Sequence, residues 1–512
     1  MFSKMLAIAF AFSALAYGET NECAELTRFQ VPGYNMTIAK AEVLPADAAD
    51  KGIPSHATEP KLFSSYCRAD GVMDARTGAE GKSYAIRFAV ALPDNWNGRF
   101  LFQGGGALNG SVSNPLGRQS AGAVPALSRG YAIVTTDTGH QGAAFDASFF
   151  RDQEASLNFS YKAIGKVAPV AKAIVTQYYG KPPHHSYFDG CSTGGREAMM
   201  MTQRYPDYFD GVISAAPAMR TGFSNLGDRW AAVTFHKISP RDPDGKLTRG
   251  AFSDADKKVI LKGLLDACDG LDGVKDGMIF NPQACRFDPN VLVCSQSKTD
   301  GCITADQAAA MEKAFAGPKD SKGNQVYPGF FYDTGNGATQ GIPGLLTYSQ
   351  SPFLQNIGDD IDLDALAAAV RADARAAVTD TRWTNLSTFF GHNGKLIFYH
   401  GASDPWFSAK DTLDYYQKMA ADNGGLEQVQ SMSRFFLVPG MGHCNGGEAT
   451  LDSFDMLSAI TGWVEKGAAP DFVMATGKSF PGRSRPLCAY PKHAQYAGQG
   501  NSEDGKNFRC AE

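Results

Sequence analysis

The chain lacks the features that would assign it to nucleic acid or to a membrane. No Lys/Arg-rich run occurs in its 512 residues, and a formal net charge of −5 leaves no basic footprint for a phosphate backbone. Nucleic-acid binding is therefore disfavoured. Long apolar runs are missing as well, since nothing beyond the N-terminus reaches the ~20 consecutive apolar residues of a membrane helix. No internal repeat is evident, so the fold is not a repeat array. What remains is ordinary: 43% apolar and 20% charged residues suit a soluble globular protein. A chain this long exceeds one compact core, so two domains, or one domain with a large insertion, are expected.

Residues 1–18 read as a secretory signal. Lys4 supplies the positive charge, Leu6 to Ala16 a short apolar core, and Ala16-Tyr17-Gly18 small residues at the cleavage positions. That core is too short for a transmembrane anchor. An exported protein is expected, extracellular or periplasmic. All ten cysteines (23, 67, 191, 268, 285, 294, 302, 444, 488 and 510) follow the signal, an even number that suits an oxidising compartment. Cys294/Cys302, Cys268/Cys285 and Cys488/Cys510 are candidate local bridges, but spacing does not fix the pairing. Asn-x-Ser/Thr sequons at Asn35, Asn109, Asn158 and Asn385 matter only in a eukaryotic secretory pathway.

Short apolar strands alternate with helical segments from about Ser83 to Ala216. The pattern predicts strands at Tyr84–Leu92, Arg99–Gln103, Tyr131–Thr136, Ser186–Asp189 and Gly211–Ala215, with an amphipathic stretch from Tyr161 to Tyr178. It resumes with a strand at Lys395–Tyr399, a helix at Ser408–Ala421, a strand at Arg434–Val438 and a helix at Phe454–Lys466. Such alternation marks an α/β fold with a largely parallel sheet. Between about 220 and 384 it stops, which predicts an inserted lid over the sheet's C-terminal edge, where α/β folds place their ligands. Residues 19–219 and 385–512 would then form the catalytic domain.

Gly190-Cys191-Ser192-Thr193-Gly194 lies between a predicted strand and a helix beginning near Gly195. Gly-x-Ser-x-Gly in that setting presents a serine on a sharp turn as a nucleophile, and its glycines keep the turn uncrowded. A serine hydroxyl needs a histidine to take its proton, and the histidine needs an acid to fix its tautomer. In α/β-hydrolases the chain order is Ser, Asp/Glu, His. Asp404 follows the strand ending at His400, and His443 follows the strand ending at Val438, so both fall just past a strand's C-terminal end. Cysteines adjoin both Ser192 and His443, and a bond between Cys191 and Cys444 would tie nucleophile to base. Gln103-Gly104-Gly105-Gly106 follows another strand and matches a glycine-rich oxyanion loop, with Gly105 or Gly106 and Thr193 as N–H donors. A phosphate loop would continue Gly-Lys-Ser/Thr, whereas Ala107-Leu108-Asn109 follows here. A further segment, Asp269 to Met278, sets three carboxylates on a glycine-bent loop bracketed by Cys268 and Cys285. A hard, oxygen-seeking cation requires such a donor set, although the spacing is not that of an EF-hand.

These segments together resemble the tannase/feruloyl esterase family of α/β-hydrolases, over most of the mature chain. The resemblance implies an α/β-hydrolase fold, a Cys191–Cys444 bridge, a lid inserted after the strand ending near Ala215, and structural calcium in that lid. Calcium would use the side chains of Asp269, Asp272 and Asp276 with the carbonyls of Val274 and Met278. It also implies bridges Cys268–Cys285, Cys294–Cys302 and Cys488–Cys510, leaving Cys23 with Cys67. Family members cleave aromatic-acid esters: feruloyl esters, galloyl esters of tannins, and mono(2-hydroxyethyl) terephthalate. The segment from Tyr399 to Ser408 is similar to the terephthalate-ester members at His400 and Phe407, which are expected to wall an aromatic pocket. Yet Phe287 to Val370 holds no arginine to grip a free terephthalate carboxylate. The expected partner is therefore a small-molecule or plant-polymer ester of the feruloyl type, with the galloyl and terephthalate esters as alternatives. A secreted serine peptidase and a non-catalytic hydrolase-fold binding protein are the readings from other classes.

Overall fold

Nine strands form one mixed sheet: β1 (Met36–Leu44), β2 (Tyr66–Thr77), β3 (Ser83–Pro93), β4 (Arg99–Gln103), β5 (Ala132–Thr136), β6 (His185–Cys191), β7 (Gly211–Ala215), β8 (Lys395–Gly401) and β9 (Ser433–Val438). Their order is β1-β2-β3-β5-β4-β6-β7-β8-β9. β1, β2 and β3 pair antiparallel, as do β3 and β5; every pair from β5 to β9 is parallel. The computed structural model describes residues 22–45, 64–339, 342–350 and 360–512, so the expected signal lies outside the described residues.

β5, β7 and β8 are buried at every position, which is why they read as continuous apolar runs rather than as alternating ones. Helices cover both faces. On one face pack α1 (Ala163–Tyr179), α2 (Thr193–Arg204) and α7 (Ala409–Asp422), through Val167, Ile174, Met199, Met200, Tyr416 and Met419. On the other lies α8 (Met456–Lys466), through Leu457, Ile460 and Trp463. Apolar residues three or four apart give each helix its buried stripe.

Between β7 and β8 the chain leaves the sheet for α3 (Thr221–His236), α4 (Asp254–Cys268), α5 (Ala305–Phe315) and α6 (Leu363–Ala372). This insertion has its own apolar cluster around Phe235, Leu264, Met311, Phe315 and Tyr327. α4 and α5 each start at a reciprocal cap, Ser253 with Asp256 and Thr304 with Gln307. Two small hairpins close the chain: β10 (Phe472–Thr476) with β11 (Ser484–Cys488), and β12 (His493–Tyr496) with β13 (Phe508–Ala511).

Five disulfides form: Cys23–Cys67, Cys191–Cys444, Cys268–Cys285, Cys294–Cys302 and Cys488–Cys510. They are the pairs implied by the family resemblance. Two sequons are closed to modification in the folded chain, because Asn109 and Asn158 are buried.

The alternating pattern did not reveal β1, β2 or the terminal hairpins. A bulge between Met73 and Arg76 breaks the period of β2. Gly71 interrupts it again, because a Cβ there would sit 2.1 Å from the Phe88 ring.

Candidate active site

Ser192 follows β6 directly and sits at the N-cap position of α2 with φ 63° and ψ −122°, a conformation few side-chain-bearing residues adopt. Its surroundings explain the glycines. A Cβ on Gly190 would lie 2.5 Å from the Gly194 backbone, one on Gly194 2.6 Å from the Gly105 carbonyl, and one on Gly195 2.3 Å from the Ala215 carbonyl. The turn is locked by the Ser192 N–H donating to the Ala215 carbonyl at 3.0 Å.

His443 follows β9, and its Nδ1–H donates to Asp404 Oδ2 at 2.7 Å. Its Nε2 is buried and has no hydrogen-bond partner among the described residues, which leaves it free to accept a proton. Asp404 follows β8 and is fully desolvated. Besides His443 it accepts the Trp406 and Phe407 N–H groups at 2.9 and 3.1 Å, and His400 Nε2–H at 3.1 Å. Burial pushes the Asp404 carboxyl up, but His443 and His400, by charge and hydrogen bond, outweigh it and hold the group well below the usual carboxylate range.

Cys191–Cys444 joins the residue before Ser192 to the residue after His443. Ser192 and His443 line one cavity of about 530 Å³ with Gly104 to Gly106, Cys191 and Cys444. Ser192 also opens on a second cavity of about 670 Å³, walled by Phe145, Phe150, Phe159, Trp406 and Phe407. Rings of Trp406 and Phe407 stand 5.0 and 5.1 Å from that of His443.

Two sequence expectations are corrected. His400 does not wall the pocket: it is fully buried behind Asp404. Its Nε2 faces Asp404 and, at 2.9 Å, the Phe407 carbonyl, both acceptors, so Nε2 carries the proton; Nδ1 then accepts from Thr412 Oγ1 at 2.9 Å. Gly105 is not an oxyanion donor, because its N–H donates to Glu197 Oε2 at 3.0 Å. Gly104 N–H is committed too, to the Asp189 carbonyl at 2.9 Å. Gly106 is the glycine left, with nothing within 4 Å of its Cβ position. Thr193 is the first residue of α2, so its N–H is one of the helix-start donors that have no partner within the helix.

Three arginines line the larger cavity, none of them in the arginine-free window from Phe287 to Val370. Arg196 donates to the Ser160 and Phe159 carbonyls, and Arg375 pairs with Asp373 at 2.7 Å. Arg229, on α3, has a buried Nε with no partner. The sequence signal for it was its place on the first helix after β7, which lies over the sheet's C-terminal edge.

In the aspartate loop, Asp269 accepts the N–H groups of Asp276, Gly277 and Met278 at 3.0–3.3 Å. Asp276 is paired with the buried Arg485. Asp272 is fully buried; its Oδ1 accepts the Val274 N–H at 3.2 Å while its Oδ2 has no partner. Burial, reinforced by the Asp276 and Asp269 carboxylates, pushes Asp272 up to about 7. An orphaned carboxylate oxygen within an all-oxygen donor set fits a hard cation. Among the described residues, metal-binding atoms gather within 4.8 Å only at His184, His185 and Glu465. There, Arg99 (2.6 Å) and Tyr187 (2.7 Å) already engage the carboxylate, which accounts for the cluster as an ion pair.

Strand order, a serine at the strand-to-helix elbow, and a buried Asp–His pair at the ends of β8 and β9 define an α/β-hydrolase. The family model described as "Tannase and feruloyl esterase" matches residues 67–511, and the chain belongs to that family. It is a carboxylic ester hydrolase. Among its relatives, a mono(2-hydroxyethyl) terephthalate hydrolase of Piscinibacter sakaiensis is 33% identical, over 92% of this chain and 87% of that protein. A probable feruloyl esterase B-1 of Neosartorya fischeri is 31% identical over 82% of each. The crystal structure of feruloyl esterase B from Aspergillus oryzae superposes with a TM-score of 0.79 at 26% identity, covering 96% of this chain and 99% of that one. No helix among the described residues is long and apolar enough to cross a membrane.

Proposed function

We propose that the protein is a secreted serine esterase that hydrolyses aromatic-acid esters of the feruloyl type in two acyl-transfer steps. The observation that carries this reading is the buried Asp404–His443 pair, whose histidine lines the same cavity as Ser192 and whose Nε2 has no hydrogen-bond partner among the described residues. Asp404 fixes the imidazole with its proton on Nδ1, so Nε2 takes the Ser192 hydroxyl proton as Oγ attacks the ester carbonyl. The tetrahedral oxygen accepts N–H bonds from Thr193 and Gly106. His443 returns the proton to the departing alcohol, which leaves through the smaller cavity beside it. Water then enters, His443 deprotonates it, and the aroyl group is released from Ser192. The phenylalanine-walled cavity suits the aromatic acyl group, since flat apolar rings bury well against aromatic side chains. Five disulfides support export, because structural disulfides persist in oxidising compartments. Calcium, held by Asp269, Asp272 and Asp276 with the Val274 and Met278 carbonyls, would brace the insertion and take no part in the chemistry.

One observation favours a second substrate, mono(2-hydroxyethyl) terephthalate. Arg229 brings into the cavity a guanidinium group whose Nε has no hydrogen-bond partner among the described residues, and its fork matches a carboxylate. Initial rates on methyl ferulate, methyl gallate and mono(2-hydroxyethyl) terephthalate, for the wild type and Ser192→Ala, test both readings. The first expects ferulate to dominate and the variant to be inactive. A terephthalate preference that disappears in Arg229→Ala supports the second. No turnover on any of the three overturns both.

A further inference from the structure

The Gly104–Asn109 loop carries more constraint than a flexible glycine turn would, and part of it comes from one buried acid. Glu197 lies on α2, five residues after Ser192, and is fully buried. Its Oε2 accepts the Gly105 N–H at 3.0 Å, and its Oε1 accepts Asn109 Nδ2–H at 2.8 Å. The Asn109 amide in turn occupies the place where a Gly105 side chain would stand, with Nδ2 2.4 Å from that Cβ position. Three more bonds sew the loop to the serine elbow. Gly194 N–H donates to the Gly105 carbonyl at 3.0 Å, Gly104 N–H to the Asp189 carbonyl at 2.9 Å, and Thr193 Oγ1 to the Ala107 carbonyl. Ala107 and Asn109 are held at φ 51° and 49°, in the left-handed region that side chains resist. Such conformations persist only where the surroundings over-determine them.

We infer that Glu197, with Asn109, is a positioning group that sets the oxyanion loop: by holding the Gly105 N–H it leaves the Gly106 N–H as the loop's donor to the reacting oxygen. The inference rests on the serine-esterase reading. The Gly105–Gly106 peptide that carries the Gly106 donor is held at its carbonyl by the Gly194 N–H, and the peptide before it is held by Glu197, so losing the Glu197 bond leaves the donor's plane restrained from one side only. Preorganisation of this kind acts on the transition state, whose oxygen carries the charge, and much less on the bound ester or acid.

The test compares wild type, Glu197→Leu, Glu197→Gln and Asn109→Ala by steady-state kinetics. It adds binding of phenylboronic acid, which forms a tetrahedral anion on a nucleophilic serine, and of ferulate as a product. Glu197→Leu is expected to lower kcat about a hundredfold, the lower end of what loss of one oxyanion donor costs. KM and ferulate affinity stay near wild type, and boronate binding weakens in proportion to kcat/KM. Glu197→Gln retains most activity, because its Oε1 still accepts from Gly105 and Asn109 can turn its partnerless Oδ1 to the new amide. Should Glu197→Leu not fold, Asn109→Ala removes one arm of the clamp and is expected to show a smaller loss with the same split. The inference is overturned if folded Glu197→Leu, or Asn109→Ala where the leucine variant does not fold, keeps wild-type kcat, or if ferulate and boronate weaken together. A wild-type protein that ignores boronate, or a Ser192→Ala protein that keeps turning over, instead removes the serine-esterase reading and the inference with it.

Discussion

Replacing Cys191 and Cys444 by alanine should have two separable effects, on global stability and on turnover. The bond closes a loop of 253 residues, against 8 for Cys294–Cys302. Loop-closure entropy then gives about 5.5 kcal/mol at 25 °C for the long loop and about 2.5 kcal/mol for the short one. The two disulfides nested inside the long loop shorten it by 17 and 8 residues, which changes the first figure by only about 0.1 kcal/mol. At ~2.1 cal/mol/K of unfolding entropy per residue, a chain of 512 residues loses about 5 °C of Tm for the long bridge. Half that is expected for the short one. Turnover should discriminate further. The Cys191–Cys444 bridge adjoins both Ser192 and His443, and a misplacement near 1 Å costs on the order of a hundredfold in rate; Cys294–Cys302 touches neither. Scanning calorimetry and initial rates at 25 °C on the two double variants measure both effects. Equal Tm losses with kcat intact in the Cys191/Cys444 variant would refute the reasoning and leave the hydrogen bonds of the two loops as the sufficient restraint.

Gly194→Ala should abolish measurable turnover in a protein that still folds, because the new methyl meets the Gly105 carbonyl at 2.6 Å and drives the oxyanion loop off the serine; kcat and circular dichroism check it. Chelation with EGTA should lower Tm more than it lowers the initial rate; an immediate, fully reversible loss of turnover would contradict a purely structural calcium. Glu465 makes a pH-dependent contribution: burial raises its carboxyl, but Arg99 and Tyr187 outweigh this and bring it to about 2. A depressed carboxyl stabilises the fold above its unfolded value near 4.5 and loses that contribution as pH falls towards 2. The Tm gap between wild type and Glu465→Gln should therefore be constant above pH ~5 and close below it.

The parts of the fold legible in the sequence were those whose local and global demands coincide. β4 and β7 fall at the residues expected of them, because strands covered on both faces carry short continuous apolar runs, Phe100 to Phe102 in β4 and Val212 with Ile213 in β7. Ser192, Asp404 and His443 stood out because each follows a strand and is bracketed by glycine, proline or cysteine. Orientation was not legible. Whether His400 faces a cavity or Asp404 depends on Thr412, twelve residues away on α7. The Gly105 N–H is claimed by Glu197, whose distance from it in sequence is 92 residues, and no triplet of glycines discloses which of its donors is already engaged. The arginines of the cavity come from α2, α3 and just past α6, all outside the arginine-free stretch from Phe287 to Val370.

The insertion is bonded to the catalytic loops as well as lying over them. Asp333, fully buried within it, accepts from Ser403 Oγ at 2.7 Å, next to Asp404, and from the Gly440 N–H at 2.6 Å, three residues before His443. Tyr327 accepts the Ser408 N–H at 3.0 Å, and Tyr348 donates to the Pro405 carbonyl. One carboxylate of the insertion thus ties together the segments that carry Asp404 and His443. Such an element is a keystone, not a detachable module: it cannot be trimmed to widen the entrance, or exchanged whole to alter specificity, without loosening the Asp404–His443 pair beneath it. Specificity in this scaffold has to be redesigned by changing side chains along the cavity wall while the span of Asp333 stays in place.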